Sequence, residues 1–89
     1  NNFLACITTA QNALKDYPYT SMREDISILL LRAKHKLGSE SVLEKKEERM
    51  RETIDEYYAF KNEFPESKYM KEVEAIYKDA SKYVKELNE

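Results

Sequence analysis

The sequence predicts an all-α fold of about four helices, arranged as antiparallel helix pairs. Three observations predict it. First, its 89 residues hold one glycine, two prolines and no tryptophan, and 36% are charged. Lys, Glu, Leu and Ala are plentiful, and they lose little side-chain freedom in a helix. Second, apolar residues recur at steps of three and four along four separate stretches. Third, the aromatic–proline interruption in KDYPYTSMRED (15–25) returns in NEFPESKYMKE (62–72).

The first helix spans about 3–16, with Phe3, Ile7, Ala10, Leu14 and then Tyr17 on one stripe. It stops there because a residue before proline, here Tyr17 before Pro18, is pushed out of the helical region. The second helix spans about 20–37. Thr20 or Ser21 caps it, and Ser21 with Glu24 has the spacing of a reciprocal capping box. Met22, Ile26, Leu29, Leu30, Ala33 and Leu37 share a face, and Ile28 with Leu31 widens the arc until the helix needs neighbours on two sides. Gly38 is expected to end it in the left-handed cap, after the basic run Lys34, His35 and Lys36.

A second capping-box spacing, Ser41 with Glu44, opens a helix over about 42–64. Its first turns, EKKEERMRE (44–52), are charged, with Glu47 four residues before Arg51. Its packing stripe, Met50, Ile54, Tyr57, Tyr58 and Phe64, comes later, so the charged turns are expected to project into solvent. Pro65 ends it. The fourth helix is expected from Ser67 to about Leu87, burying Tyr69, Val73, Ile76, Tyr77, Ala80, Tyr83, Val84 and Leu87.

Aligning Pro18 with Pro65 gives an offset of 65 − 18 = 47 residues. At that offset Ile7 matches Ile54, Tyr17 matches Phe64, and Thr20 matches Ser67. Ile26 falls on Val73, Leu29 on Ile76, Ala33 on Ala80, and Leu37 on Val84. Tetratricopeptide repeats run to about 34 residues and HEAT-type repeats to about 40–47. Both prolines nonetheless lie between helices, where a tetratricopeptide unit ends its second helix. The reading is therefore a tetratricopeptide-like α-α superhelix with an elongated third helix. In this phase the first helix is the second half of a unit whose first half is missing. The chain reads as a single domain, the C-terminal part of a longer one. Its first helix is expected to lack a partner, which offers a route to dimerisation through the open N-terminal end.

Composition and motifs exclude several function classes. The net charge of −2, with both signs mixed, leaves no electrostatic footprint for nucleic acid or anionic lipid. The chain has neither an apolar run near ~20 residues nor a glycine-rich phosphate loop. One cysteine, Cys6, permits no internal disulfide, and a helical cysteine is expected to be buried. Although FLAC (3–6) resembles the end of a lipoprotein signal, no basic and apolar leader precedes it. His35 reads as a helix-end residue. With one cysteine and one histidine, no metal-ligand spacing and no cofactor motif, catalytic, metal and cofactor residues are all read as none. Tyr57, Tyr77 and Tyr83 read as core with wet hydroxyls, and Tyr19 as a turn residue.

The segments ETIDEYYAFKNEFPESKYMKEVEAIYKDASKYV (52–84), NALKDYPYTSMREDISILLLRAKHKL (12–37) and above all EKKEERMRETIDEYYAF (44–60) resemble the C-terminal repeats of BamD-type outer-membrane assembly lipoproteins of Bacteroidetes. The resemblance covers nearly all of this chain but only the last portion of the family's proteins. It implies a scaffold at the periplasmic face of the outer membrane, held by a lipid anchor that lies outside this sequence. It also implies a protein partner, the POTRA region of a BamA-like barrel component, with no chemistry performed and no nucleic acid bound. No family motif transfers interface residues. From the residues themselves, Lys45, Lys46, Arg49 and Arg51 on the charged turns are the candidate partner-binding set, as rim charges that steer association. A general adaptor that captures peptides in its concave groove, using Arg32 and Lys36, is the alternative. A regulatory domain of an enzyme is a third.

Overall fold

The computed structural model describes residues 2–84, which are helical apart from short connections and ends. Four helices follow one another: α1 (Phe3–Asp16), α2 (Arg23–Ser39), α3 (Leu43–Glu63) and α4 (Met70–Ser81). Each packs on the next, and α4 also touches α2. The result is an all-α stack of helical hairpins with α2 in the middle.

That central position follows from the wide apolar arc of α2. Ile28 and Leu31 enter a cluster with Tyr57 and Phe60 of α3 and Val73 and Ile76 of α4. Leu30 and Ala33, turned the other way, meet Ile7 and Ala10 of α1. A third cluster joins Met50 and Ile54 to Ala80 and Val84. Burying each large aliphatic side chain stabilises the fold by about 1.5–3 kcal/mol.

Polar struts cross the same helix boundaries. Lys34 Nζ meets Glu56 at 3.0 Å, both Arg32–Glu72 contacts are 2.7 Å, and His35 Nε2 lies 2.7 Å from Asp79. Arg23 binds Glu63 across the α2–α3 hairpin. Partly exposed pairs of this kind contribute only about 0–1 kcal/mol each, so the clusters dominate and the struts set helix register.

The 47-residue repeat is present in the backbone. Residues 17–22 and 64–69 make the same turn, bond for bond. Tyr17 and Phe64 donate to Ala13 and Phe60; Thr20 and Ser67 donate back to Tyr17 and Phe64; Arg23 and Met70 donate to Thr20 and Ser67. Tyr17 has φ −131° and ψ 63°, against −128° and 63° at Phe64. The Thr20 and Ser67 side chains act alike, accepting from Met22 N at 3.1 Å and Tyr69 N at 2.9 Å.

This turn corrects two expected helix starts. α2 begins at Arg23 and α4 at Met70, three residues later than expected, because the hydroxyls close a local turn and cap no helix. Ser21 and Glu24 form no capping box, since the cap residue is Met22 and no side chain bonds there. The Ser41–Glu44 box is absent too. α2 runs on to Ser39, which leaves Ser41 in the connection, where its hydroxyl donates to Leu37 O at 2.6 Å. Only α1 has a side-chain cap, with Asn2 Oδ1 accepting from Ala5 N at 3.0 Å.

Gly38 is the largest correction. It lies inside α2 and no described residue has a positive φ, so it forms no left-handed cap. Its role is close approach: a Cβ built there falls 3.0 Å from Met50 Sδ, and Met50 is fully buried. The fourth helix is also shorter than expected. α4 ends at Ser81, and residues 82–84 follow in a turn that buries Val84 and leaves Tyr83 exposed. The expected continuation to Leu87 lies outside the described residues.

Candidate protein-interaction surfaces

Repeat-equivalent positions meet different fates, and the difference defines the first surface. Ile76 on α4 is 6% exposed, whereas its counterpart Leu29 on α2 is 49% exposed. Thr53 on α3 is fully buried, whereas its counterpart Cys6 on α1 is exposed. The cause is the number of neighbours. α3 lies between α2 and α4, whereas α1 packs on α2 alone among the described residues. Ala5, Cys6, Thr9, Ala10 and Ala13 of α1, with Ile26 and Leu29 of α2, therefore line an open trough of about 350 Å³. Phe3, Leu29, Ala33 and Lys36 continue it. The expectation that Cys6 is buried is overturned for the same reason, as is that of a buried Leu29, and Met22, expected on the buried face, is exposed in the turn before α2.

A second surface lies between α1 and α3, whose backbones stay apart. Leu4, Ile7 and Gln11 form one wall of a cleft of about 440 Å³, Lys34 and Leu37 of α2 form its floor, and Lys45, Glu48, Arg49 and Glu52 of α3 form the other wall. These three α1 positions are one helical turn apart and so share a face. The charged start of α3 thus faces this cleft as well as bulk water.

The four predicted binding residues separate. Lys45 and Arg49 line the cleft together, Arg49 Nη1 also donating to Ser41 Oγ at 2.9 Å. Lys46 turns elsewhere, donating to Ser39 O at 2.9 Å with its ammonium 5.1 Å from the Tyr83 ring centroid. Arg51 pairs with Glu47 at 3.0 Å on the helix surface, as their i, i+4 spacing predicts. The cleft's other members, Leu4, Ile7, Leu37, Glu48 and Glu52, escape sequence reasoning because the space between α1 and α3 is a tertiary feature. The 47-residue repeat could have found Leu29 and Cys6, by comparing what covers Ile76 and Thr53.

Of the alternative groove's residues, Lys36 lines the trough and Arg32 is held by partners. Arg32 clamps Glu72 through two nitrogens and lies 5.4 Å from the Tyr69 ring centroid. The hydrogen bond to Arg32 holds the Glu72 carboxyl below its ordinary range, and the same bond raises the guanidinium. On the α3–α4 side, burial raises the Tyr57 phenol; its hydroxyl donates to Glu74 at 3.0 Å and accepts from Lys61 at 3.2 Å. Tyr57 stacks on Tyr77 at 4.4 Å, and Tyr58, expected on the buried stripe, is half exposed beside them. Tyr19 is almost wholly exposed in its turn.

His35 and Cys6 meet different surroundings: His35 contacts Asp79 on α4, while Cys6 lines the trough on α1. Among the described residues, no group of three or more His, Cys, Asp or Glu is placed to hold a metal. No helix among them is long and apolar enough to cross a membrane. Compared with known proteins, the chain matches no family pattern, no curated protein and no solved structure.

Proposed function

We propose that this chain is a non-catalytic protein–protein interaction scaffold, a tetratricopeptide-like unit that holds a helix of another protein segment on its open α1–α2 trough. One observation carries the reading. The trough is lined almost wholly by apolar side chains, and the counterparts of Ala10, Ala13, Ile26 and Leu29 one repeat later, Tyr57, Phe60, Val73 and Ile76, are packed against Ile28 and Leu31 of α2. An apolar surface left open in this way supports the reading of an interaction site. The internal interface supplies the pattern for the occupant, a helix presenting aliphatic residues three apart, as Ile28 and Leu31 of α2 are presented to Val73 and Ile76.

Resemblance to the BamD-type lipoproteins gives the proposal its specific form. The chain is the C-terminal docking part of such a lipoprotein at the periplasmic face of the outer membrane, and its partner is the POTRA region of a BamA-like barrel component. The test is a pull-down from detergent-solubilised outer-membrane envelope, with wild type and Leu29→Asp as baits. Recovery of the barrel component by wild type and its loss with Leu29→Asp is the expected result. Failure of the wild type to recover it refutes the partner, and equal recovery by both baits refutes the trough.

A further inference from the structure

We infer that the α1–α3 cleft is a second binding site, for a peptide segment in which acidic and basic side chains alternate around an aliphatic residue. The inference rests on the scaffold reading and adds a ligand class at a different surface. Along α3 the cleft-lining side chains alternate in sign: Lys45, Glu48, Arg49, Glu52. At 1.5 Å rise per residue this stripe is about 10 Å long. The side chains of Lys45, Glu48 and Glu52 make no hydrogen bond or ion pair among the described residues, and Arg49 uses one nitrogen on Ser41. Lys34, in contrast, is neutralised by Glu56.

Opposite this stripe stands an uncharged wall of Leu4, Ile7 and Gln11, with Leu37 beneath. Nothing on α1 answers the charges of α3, so the cleft has a charged side and an apolar side with room between. Its volume falls in the usual range for ligand sites, roughly 300–1,000 Å³. A segment that fits both walls lays an aliphatic side chain on Ile7 and Leu37. It sets acids against Lys45 and Arg49, and bases against Glu48 and Glu52. Uniformly charged ligands are disfavoured, because half of the stripe repels either sign.

The probe is the capped peptide acetyl-Asp-Leu-Lys-Asp-Leu-Lys-amide, titrated into methyl-labelled protein and followed by NMR. The expected result is saturable shifts at Leu4, Ile7 and Leu37, with Leu29 unmoved. The double variant Lys45→Glu, Arg49→Glu, its fold checked by circular dichroism, should weaken that peptide about fivefold and favour an analogue with lysine at every charged position. Unmoved cleft methyls at millimolar peptide overturn the inference. So does equal binding of the mixed peptide to wild type and the double variant. Either outcome leaves the trough proposal standing, since that is read from Leu29→Asp in the pull-down.

Discussion

A methyl group added at Gly38 tests how α2 and α3 approach each other. Gly38→Ala gains helix propensity, at most about 1 kcal/mol and less in a last turn. Against that gain, the new Cβ falls 3.0 Å from Met50 Sδ and 3.4 Å from its Cε, inside the ~3.5–4.0 Å of ordinary contact. Met50 is fully buried and cannot swing into solvent. Overpacking of this sort costs about 1–3 kcal/mol, so the net expectation is a loss of about 0.5–2 kcal/mol. Urea unfolding followed by circular dichroism measures it from the shift in midpoint at constant slope. The decisive comparison is the same substitution in a Met50→Val background, which removes Sδ and Cε. There Gly38→Ala should become neutral or stabilising, a coupling of about 1–2 kcal/mol. An equal loss in both backgrounds would refute the close-approach argument and restore a left-handed cap at Gly38.

Three further outcomes follow from the same structure. Ile76→Ala should cost about 2–4 kcal/mol in urea unfolding, while its repeat counterpart Leu29→Ala stays within about 1 kcal/mol; equal costs would mean that the trough is covered. Cys6 should react to completion with a maleimide in native buffer, and labelling that requires denaturant contradicts its exposure. The Glu72 carboxyl is held below its ordinary 4.5 by Arg32, so the folded state binds its proton less readily than the unfolded state. Its contribution is therefore present above about pH 4.5 and lost as pH falls through the lowered value, and Glu72→Gln should flatten that part of the stability–pH curve. Because the pair is partly exposed the effect should stay below about 1 kcal/mol, and an unchanged curve removes the Arg32 clamp from the account.

The sequence makes legible whatever is encoded within a few residues or by the repeat. Phe3–Asp16 matches its expected bounds, and α3 differs by a residue at each end, because periodicity and the residue before each proline are local signals. The repeat offset located two turns with nearly the same dihedrals. Features that depend on neighbours were not legible. Thr20 and Ser67 have the chemistry of helix caps, but the chain is already turning there and their hydroxyls close the turn. Gly38 follows a basic run as a cap would, yet what requires glycine there is Met50 on the facing helix. Leu29 carries the same periodic signal as Ile76 and is exposed because, among the described residues, α1 has no second neighbour. Of the candidate binding residues, only Lys45 and Arg49 share a cleft, since the side of α3 that faces α1 depends on how α2 holds both helices.

Cys6 lies in the trough and is the only cysteine, which makes it a direct reporter of the central claim. The measurement is its alkylation rate in the free chain and in the complex recovered with the barrel component. The account predicts at least a tenfold slowing on complex formation, because the partner's helix covers the trough. A complex in which Cys6 reacts as fast as in the free chain would contradict it.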